Sequence, residues 1–125
     1  MFEIRVRTRF SASHHLRGYP GDCARVHGHN WEVEARLEGP ALDEMGMVAD
    51  FRRLRRALDE VAARLDHRDL NGVPPFDQDN PTAENLARFF YRELTSSVGG
   101  FSGPELRLKK VTVFETPDTG AAYSE

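Results

Sequence analysis

His27-Gly28-His29-Asn30-Trp31-Glu32-Val33-Glu34-Ala35-Arg36-Leu37-Glu38 alternates, one residue at a time, between a ring or apolar side chain and a small, polar or charged one. A period of two marks a strand with one apolar face. Residues two apart on a strand point the same way, so His27 and His29 fall on the face of Trp31, Val33, Ala35 and Leu37. An earlier run repeats the pattern, with Phe2, Ile4, Val6, Thr8 and Phe10 alternating with Glu3, Arg5, Arg7 and Arg9. One polar face is mainly basic and the other mainly acidic, so antiparallel pairing is expected to set opposite charges across from one another. The same parity separates two adjacent histidines. His14 continues the face of Phe10 and Ala12, and His15 points away.

Two helical patterns follow. Asp50 is a plausible N-cap, and behind it Phe51, Leu54, Leu58, Val61, Ala62 and Leu65 recur at helical spacing. Asn80-Pro81-Thr82-Ala83-Glu84 carries a capping residue, a helix-starting proline and an early acid, and Leu86, Phe89, Phe90 and Leu94 supply an apolar stripe. Asn71-Gly72-Val73-Pro74-Pro75 reads as the loop between them. Gly99, Gly100, Gly103 and Pro104 break the chain before a third strand, Leu106 to Thr116. A short fourth strand holding Tyr123 follows a turn at Asp118-Thr119-Gly120. The order ββααββ points to an α+β fold with a four-stranded antiparallel sheet. Its two open edges favour association edge to edge, so an oligomer is expected.

The whole chain, 125 residues, suits a single domain spanning 1–125. Its 39% hydrophobic and 30% charged content excludes a collagenous or disordered chain. No apolar run approaches the roughly 20 residues that cross a bilayer, and Met1-Phe2-Glu3 leads straight into alternation rather than a secretory signal. A net charge of −3 gives no global reason to expect nucleic acid as partner. A cytoplasmic protein acting on a small molecule, with neither a membrane nor a nucleic-acid partner, is the expectation.

The five histidines fall in three places: His14 with His15, His27 with His29, and His67. Pairing of the first two strands is expected to bring His14, His27 and His29 together on one face. Three neutral imidazoles suit zinc, with a fourth position open to water or substrate. Cys23, the single cysteine, is then either a fourth ligand closing the site or a free thiol near the metal, where it is a good base. Asp66 beside His67 reads either as an acid–base pair, the carboxylate raising the basicity of the imidazole, or as an ordinary surface pair at a helix end. Glu115 shares the parity of Val111 and Val113, and a carboxylate facing the apolar side needs a partner. The two-donor edge of an amino-pyrimidinone would satisfy it.

Five landmarks in order carry a resemblance: Phe10-Ser11-Ala12-Ser13-His14; Cys23 with His27-Gly28-His29; Leu65-Asp66-His67 with Leu70-Asn71; Asn80-Pro81-Thr82-Ala83-Glu84-Asn85; and Val113-Phe114-Glu115-Thr116. The chain resembles the 6-pyruvoyltetrahydropterin and 6-carboxytetrahydropterin synthase family over essentially its full length. The resemblance implies a tunnelling fold, a four-stranded antiparallel sheet with two helices on one face, closing a β-barrel in a homohexamer built as a dimer of trimers. It implies zinc on His14, His27 and His29, and a catalytic Cys23. Asp66 and His67, from a neighbouring subunit, complete the catalytic group. Glu115 would anchor the pterin, with Thr82 and Glu84 near it, and the charged strand faces would line the channel. The three-residue gap between Cys23 and His27 is similar to the carboxy-forming branch of queuosine and deazapurine synthesis, which acts on 7,8-dihydroneopterin triphosphate. His15 stands where the family commonly has arginine, and Thr116-Pro117-Asp118 departs from its usual loop. A pyruvoyl-forming lyase and a non-catalytic zinc-stabilised oligomerisation domain are the alternatives.

Overall fold

The computed structural model describes residues 1–101 and 105–125; the expected chain break at Gly103 and Pro104 lies outside them. Strands β1 (Phe2–His14) and β2 (His27–Gly39) pair antiparallel over their whole length, Phe2 opposite Gly39 and His14 opposite His27. After β2 come α1 (Phe51–Ala63), the two-residue strand β3 (Arg68–Asp69) and α2 (Ala83–Val98). The chain then returns through β4 (Arg107–Thr116) and β5 (Thr119–Tyr123).

Among the described residues the sheet has five strands in the order β3-β1-β2-β4-β5. That corrects the four-stranded antiparallel expectation. Four strands are antiparallel neighbours, and β3 adds a parallel edge, Ala12 and Ser13 opposite Arg68 and Asp69. Two residues cannot display a hydrophobic period. Backbone bonding creates this strand, beginning with the His67 N–H, which donates to the Ser11 carbonyl at 2.6 Å.

Both helices cover one face. The fully buried Trp31, Val33, Ala35 and Leu37 of β2 and Val111 and Val113 of β4 join Leu54, Leu58, Leu86, Phe90 and Leu94 in one core. Burying a side chain of this size contributes roughly 1.5–3 kcal/mol. Asp50 caps α1 as expected, accepting from the Arg52 N–H at 2.8 Å, but Phe51 lies outside the core at 59% exposure. The cap of α2 is Thr82 rather than Asn80; its hydroxyl accepts from the Asn85 N–H at 3.1 Å, and Pro81 precedes the helix. The last turn also differs from the reading, because Thr119 and Gly120 belong to β5. A Cβ on Gly120 would sit 2.7 Å from the Phe114 ring. This glycine marks a close approach of strands instead of a bend.

On the opposite face the charges only partly oppose. Arg7 faces Glu34 and Arg9 faces Glu32, but Arg5 faces Arg36 and Glu3 faces Glu38. The like pairs are relieved by other neighbours: Arg36 reaches diagonally to Glu3 at 3.1 Å, and Arg107, directly opposite on β4, takes Glu38. Glu34, 2% exposed, is held by Arg7 at 3.0 Å and Arg36 at 2.9 Å. No helix of the described residues is long and apolar enough to cross a membrane.

Candidate metal centre and active site

The antiparallel register places His14 across from His27 and Ala12 across from His29. Parity does the rest. The three rings form a triangle with centroid separations of 4.6, 4.8 and 5.1 Å. Trp31 walls it from below, 4.8 Å from the His14 ring and 5.2 Å from His29. The Trp31 indole is itself fixed by donating to the Ala12 carbonyl at 3.2 Å.

Hydrogen bonds select the tautomers. His14 Nδ1 lies 2.8 Å from the Pro81 carbonyl and His27 Nδ1 lies 2.7 Å from the Arg25 carbonyl. A carbonyl can only accept, so each Nδ1 carries the proton and each Nε2 presents a lone pair. Burial pushes the His14 imidazole well toward its neutral form, and the neighbouring imidazoles add to that against the pull of Pro81 and Glu115. Burial, opposed by Glu115, likewise lowers His29. Neutral imidazole is the form that binds metal.

Nε2 of His14 is buried without a hydrogen-bond partner, as is Nδ1 of His15 outside the triangle, and the buried Nε2 of His29 has only the Glu115 carboxylate beside it. The unpartnered His14 Nε2 needs an explanation, and a metal ion held with His27 and His29 would supply one. Glu115 completes the set. Its Oε1 lies 2.7 Å from His29 Nε2 and 3.6 Å from His14 Nε2, and donor atoms of all four residues lie within 4.8 Å of one another. The fourth direction, expected to be open, is therefore faced by a carboxylate.

Cys23 is not in that set. It is a free thiol of intermediate burial in a single 3-10 turn, Asp22–Ala24, whose Cys23 carbonyl accepts from the Leu16 N–H at 2.8 Å. The same loop supplies the Arg25 carbonyl that orients His27. Asp66 and His67 follow α1. Asp66 accepts from the Ser11 N–H at 2.9 Å and meets His67 Nδ1 at 2.9 Å; these two contacts hold its carboxyl below the usual carboxylate range. His67 takes a left-handed backbone, φ 58°, uncommon for a residue with a Cβ and enriched at functional sites. An open cleft of about 660 Å³ brings Asp66, His29 and Glu115 to one surface, with Arg9 and Asn30. An adjoining cleft of about 430 Å³ holds His67, Arg68 and again His29.

Thr82 and Glu84 sit apart from these clefts, one capping α2 and the other exposed in its first turn. Two residues have positioning duties that the sequence reading did not give them. The side chain of Asn71 accepts from the His15 N–H at 2.9 Å and donates to the His15 carbonyl at 3.0 Å. Asn80 does the same for Arg17 at 2.9 and 3.0 Å. These clamps tie the end of β1 to the segments bearing His67 and Pro81.

Structural zinc sites favour thiolates and seal the ion, whereas imidazole and carboxylate donors at the rim of an open cleft suit catalysis. The donor set could hold a metal ion at the rim of that cleft. Comparison with known proteins names the family. A family profile described as 6-pyruvoyl tetrahydropterin synthase matches residues 3–125, and the chain belongs to that family of pterin synthases, which are lyases. A protein of Archaeoglobus fulgidus, provisionally named 6-carboxy-5,6,7,8-tetrahydropterin synthase, is 36% identical over 118 residues, covering 94% of this chain and 91% of the relative. A dihydroneopterin monophosphate aldolase of Pyrococcus furiosus is 31% identical over 117 residues, covering 94% and 92%. The solved structure of the Caenorhabditis elegans 6-pyruvoyl tetrahydropterin synthase aligns with a TM-score of 0.86 at 30% identity, covering 99% of this chain and 95% of that one.

Proposed function

We propose that this protein is a zinc-dependent 6-carboxy-5,6,7,8-tetrahydropterin synthase, converting 7,8-dihydroneopterin triphosphate and water to 6-carboxytetrahydropterin, acetaldehyde and triphosphate in queuosine or deazapurine synthesis. The observation that carries the metal part is the convergence of His14, His27, His29 and Glu115, with ligand atoms within 4.8 Å of one another and the buried Nε2 of His14 unpartnered. The name of the Archaeoglobus relative and the short gap between Cys23 and His27 support the carboxy-forming branch.

Zinc on His14, His27 and His29 would supply Lewis acidity toward the oxygens of the substrate side chain. Glu115 accepts two N–H groups from the pyrimidinone edge and so orients the pterin. Cys23, as thiolate, takes a proton from a carbon of the substrate side chain. His67, oriented by Asp66 through Nδ1, holds Nε2 free to return a proton. The arrangement supports elimination of triphosphate, followed by retro-aldol loss of the two-carbon fragment.

The assembly is read as a homohexamer, a dimer of trimers with a β-barrel, in a cytoplasmic setting. The outer edge of β1 before Ala12 is unpaired among the described residues, and Phe2 and Phe51 are exposed at 47% and 59%. Both features suit subunit contacts.

Incubation with 7,8-dihydroneopterin triphosphate, and separately with the monophosphate, followed by mass analysis of the products, tests the reading. Acetaldehyde, triphosphate and the carboxypterin are expected. Triphosphate with a pyruvoyl product, a reaction named for the Caenorhabditis structure, would move the chain to the pyruvoyl-forming branch. Turnover confined to the monophosphate would align it with the Pyrococcus aldolase. Zinc binding without any pterin turnover would leave a zinc-stabilised oligomerisation domain.

A further inference from the structure

Glu115 is oddly placed for a residue that only waits for substrate. It follows Val113 and Phe114, which pair with Val33 and Glu32 of β2, so strand parity carries its side chain to the histidine face. Among the described residues no arginine or lysine lies within salt-bridge reach of its carboxylate; its partners are His14 and His29. Its Oε1 is 2.7 Å from His29 Nε2 and 3.6 Å from His14 Nε2, and all four residues offer ligand atoms within 4.8 Å of one another. A half-buried carboxylate among uncharged rings is costly unless a cation joins it. Ligand atoms on one tetrahedral zinc, at bond lengths of about 2.0–2.1 Å, stand roughly 3.3 Å apart. The contacts of 2.7 and 3.6 Å bracket that spacing, so one ion is accommodated with sub-ångström shifts.

We propose that Glu115 is the fourth metal ligand of the resting enzyme and leaves the ion when a pterin arrives, so that ring recognition opens the coordination position. This rests on the zinc and pterin readings above. A carboxylate cannot present both oxygens to the pyrimidinone edge while bonded to the ion from its present position. The pterin N–H groups therefore compete with the metal for Glu115. A molecule carrying the side chain but no pterin ring would find the position closed, which makes Glu115 a selectivity element as well as an anchor.

The test uses the cobalt(II)-substituted full chain and its visible absorption, with zinc affinity measured by chelator competition. Glu115→Gln is nearly isosteric, and the metal-free form is expected to melt within about 2 °C of the natural protein, a difference of well under 1 kcal/mol. Expected results are a changed cobalt spectrum and at least about tenfold weaker zinc binding in E115Q. Addition of unsubstituted pterin should shift the natural protein toward the E115Q spectrum and leave E115Q unchanged. A spectrum and affinity indifferent to Glu115→Gln overturn the proposal even where pterin turnover is intact. A spectrum that responds to the substitution but to no pterin keeps Glu115 as a ligand and overturns the exchange together with the pterin reading beneath it.

Discussion

Replacing Trp31 by phenylalanine tests whether the core supports the metal centre. Trp31 has no exposed surface, stacks at 7° on Phe10 with centroids 6.0 Å apart, and donates to the Ala12 carbonyl. The smaller ring gives up roughly 40 Å² of apolar contact, about 1 kcal/mol. It leaves a void of roughly 40 Å³, about another 1 kcal/mol. The lost hydrogen bond adds about 1 kcal/mol. Together these are about 3 kcal/mol, or a fall of about 10 °C in Tm for a domain of this size. The indole also walls the His14 and His29 rings, so zinc affinity should fall about 10- to 100-fold, as when groups supporting a ligand are removed. Differential scanning calorimetry of the metal-free protein and chelator competition measure the two effects separately. A loss below about 1 kcal/mol with unchanged zinc affinity would refute the idea that this ring holds the ligands in place.

Cys23→Ala should keep its zinc and lose at least about 100-fold in turnover; loss of the metal instead would make the thiol a ligand. Glu34→Gln should cost about 2 kcal/mol at neutral pH, less than a fully buried pair because Arg7 and Arg36 remain partly in water. Burial raises the Glu34 carboxyl, but the hydrogen bonds from Arg36 and Arg7 more than reverse this and hold it below its ordinary 4.5. A depressed carboxyl stabilises the fold above its unfolded pKa and ceases to do so as pH falls through the folded value. Melting curves of the natural protein should therefore drop on acidification below about pH 4.5, with a shallower drop in E34Q; parallel curves would contradict this. Thr82→Ala should cost about 1 kcal/mol through loss of the α2 cap. If Thr82 also touches pterin, KM rises in the alanine variant and recovers in Thr82→Ser, whereas an unchanged KM assigns it to the helix alone.

Legibility in the sequence followed physical period. The alternation through Trp31, Val33 and Ala35 fixed which face His27 and His29 share, and the same parity separated His14 from His15. Both survive in the structure because a buried face locks the register. Features without a period stayed hidden. Strand β3 is two residues long and is anchored by the His67 N–H donating to the Ser11 carbonyl and the Ser11 N–H donating to the Asp66 carboxylate. Gly120 looked like a turn because a glycine needed for close packing and one needed for a bend are the same letter. Asn80 and Thr82 are both good caps by composition, and only the hydroxyl contact to Asn85 decides between them. The parity of Glu115 was readable, but its convergence on the histidines depends on the β2–β4 register, which sets Phe114 opposite Glu32 and which no local pattern announces.

Titration of the metal-free protein with zinc against a coloured chelator, for the natural chain, His14→Ala and His15→Ala side by side, addresses the three-imidazole centre most directly. One tightly held ion per chain is expected in the natural protein and in H15A, and none of comparable affinity in H14A. Equal binding by all three, or no binding by any, would contradict the centre and the chemistry built on it.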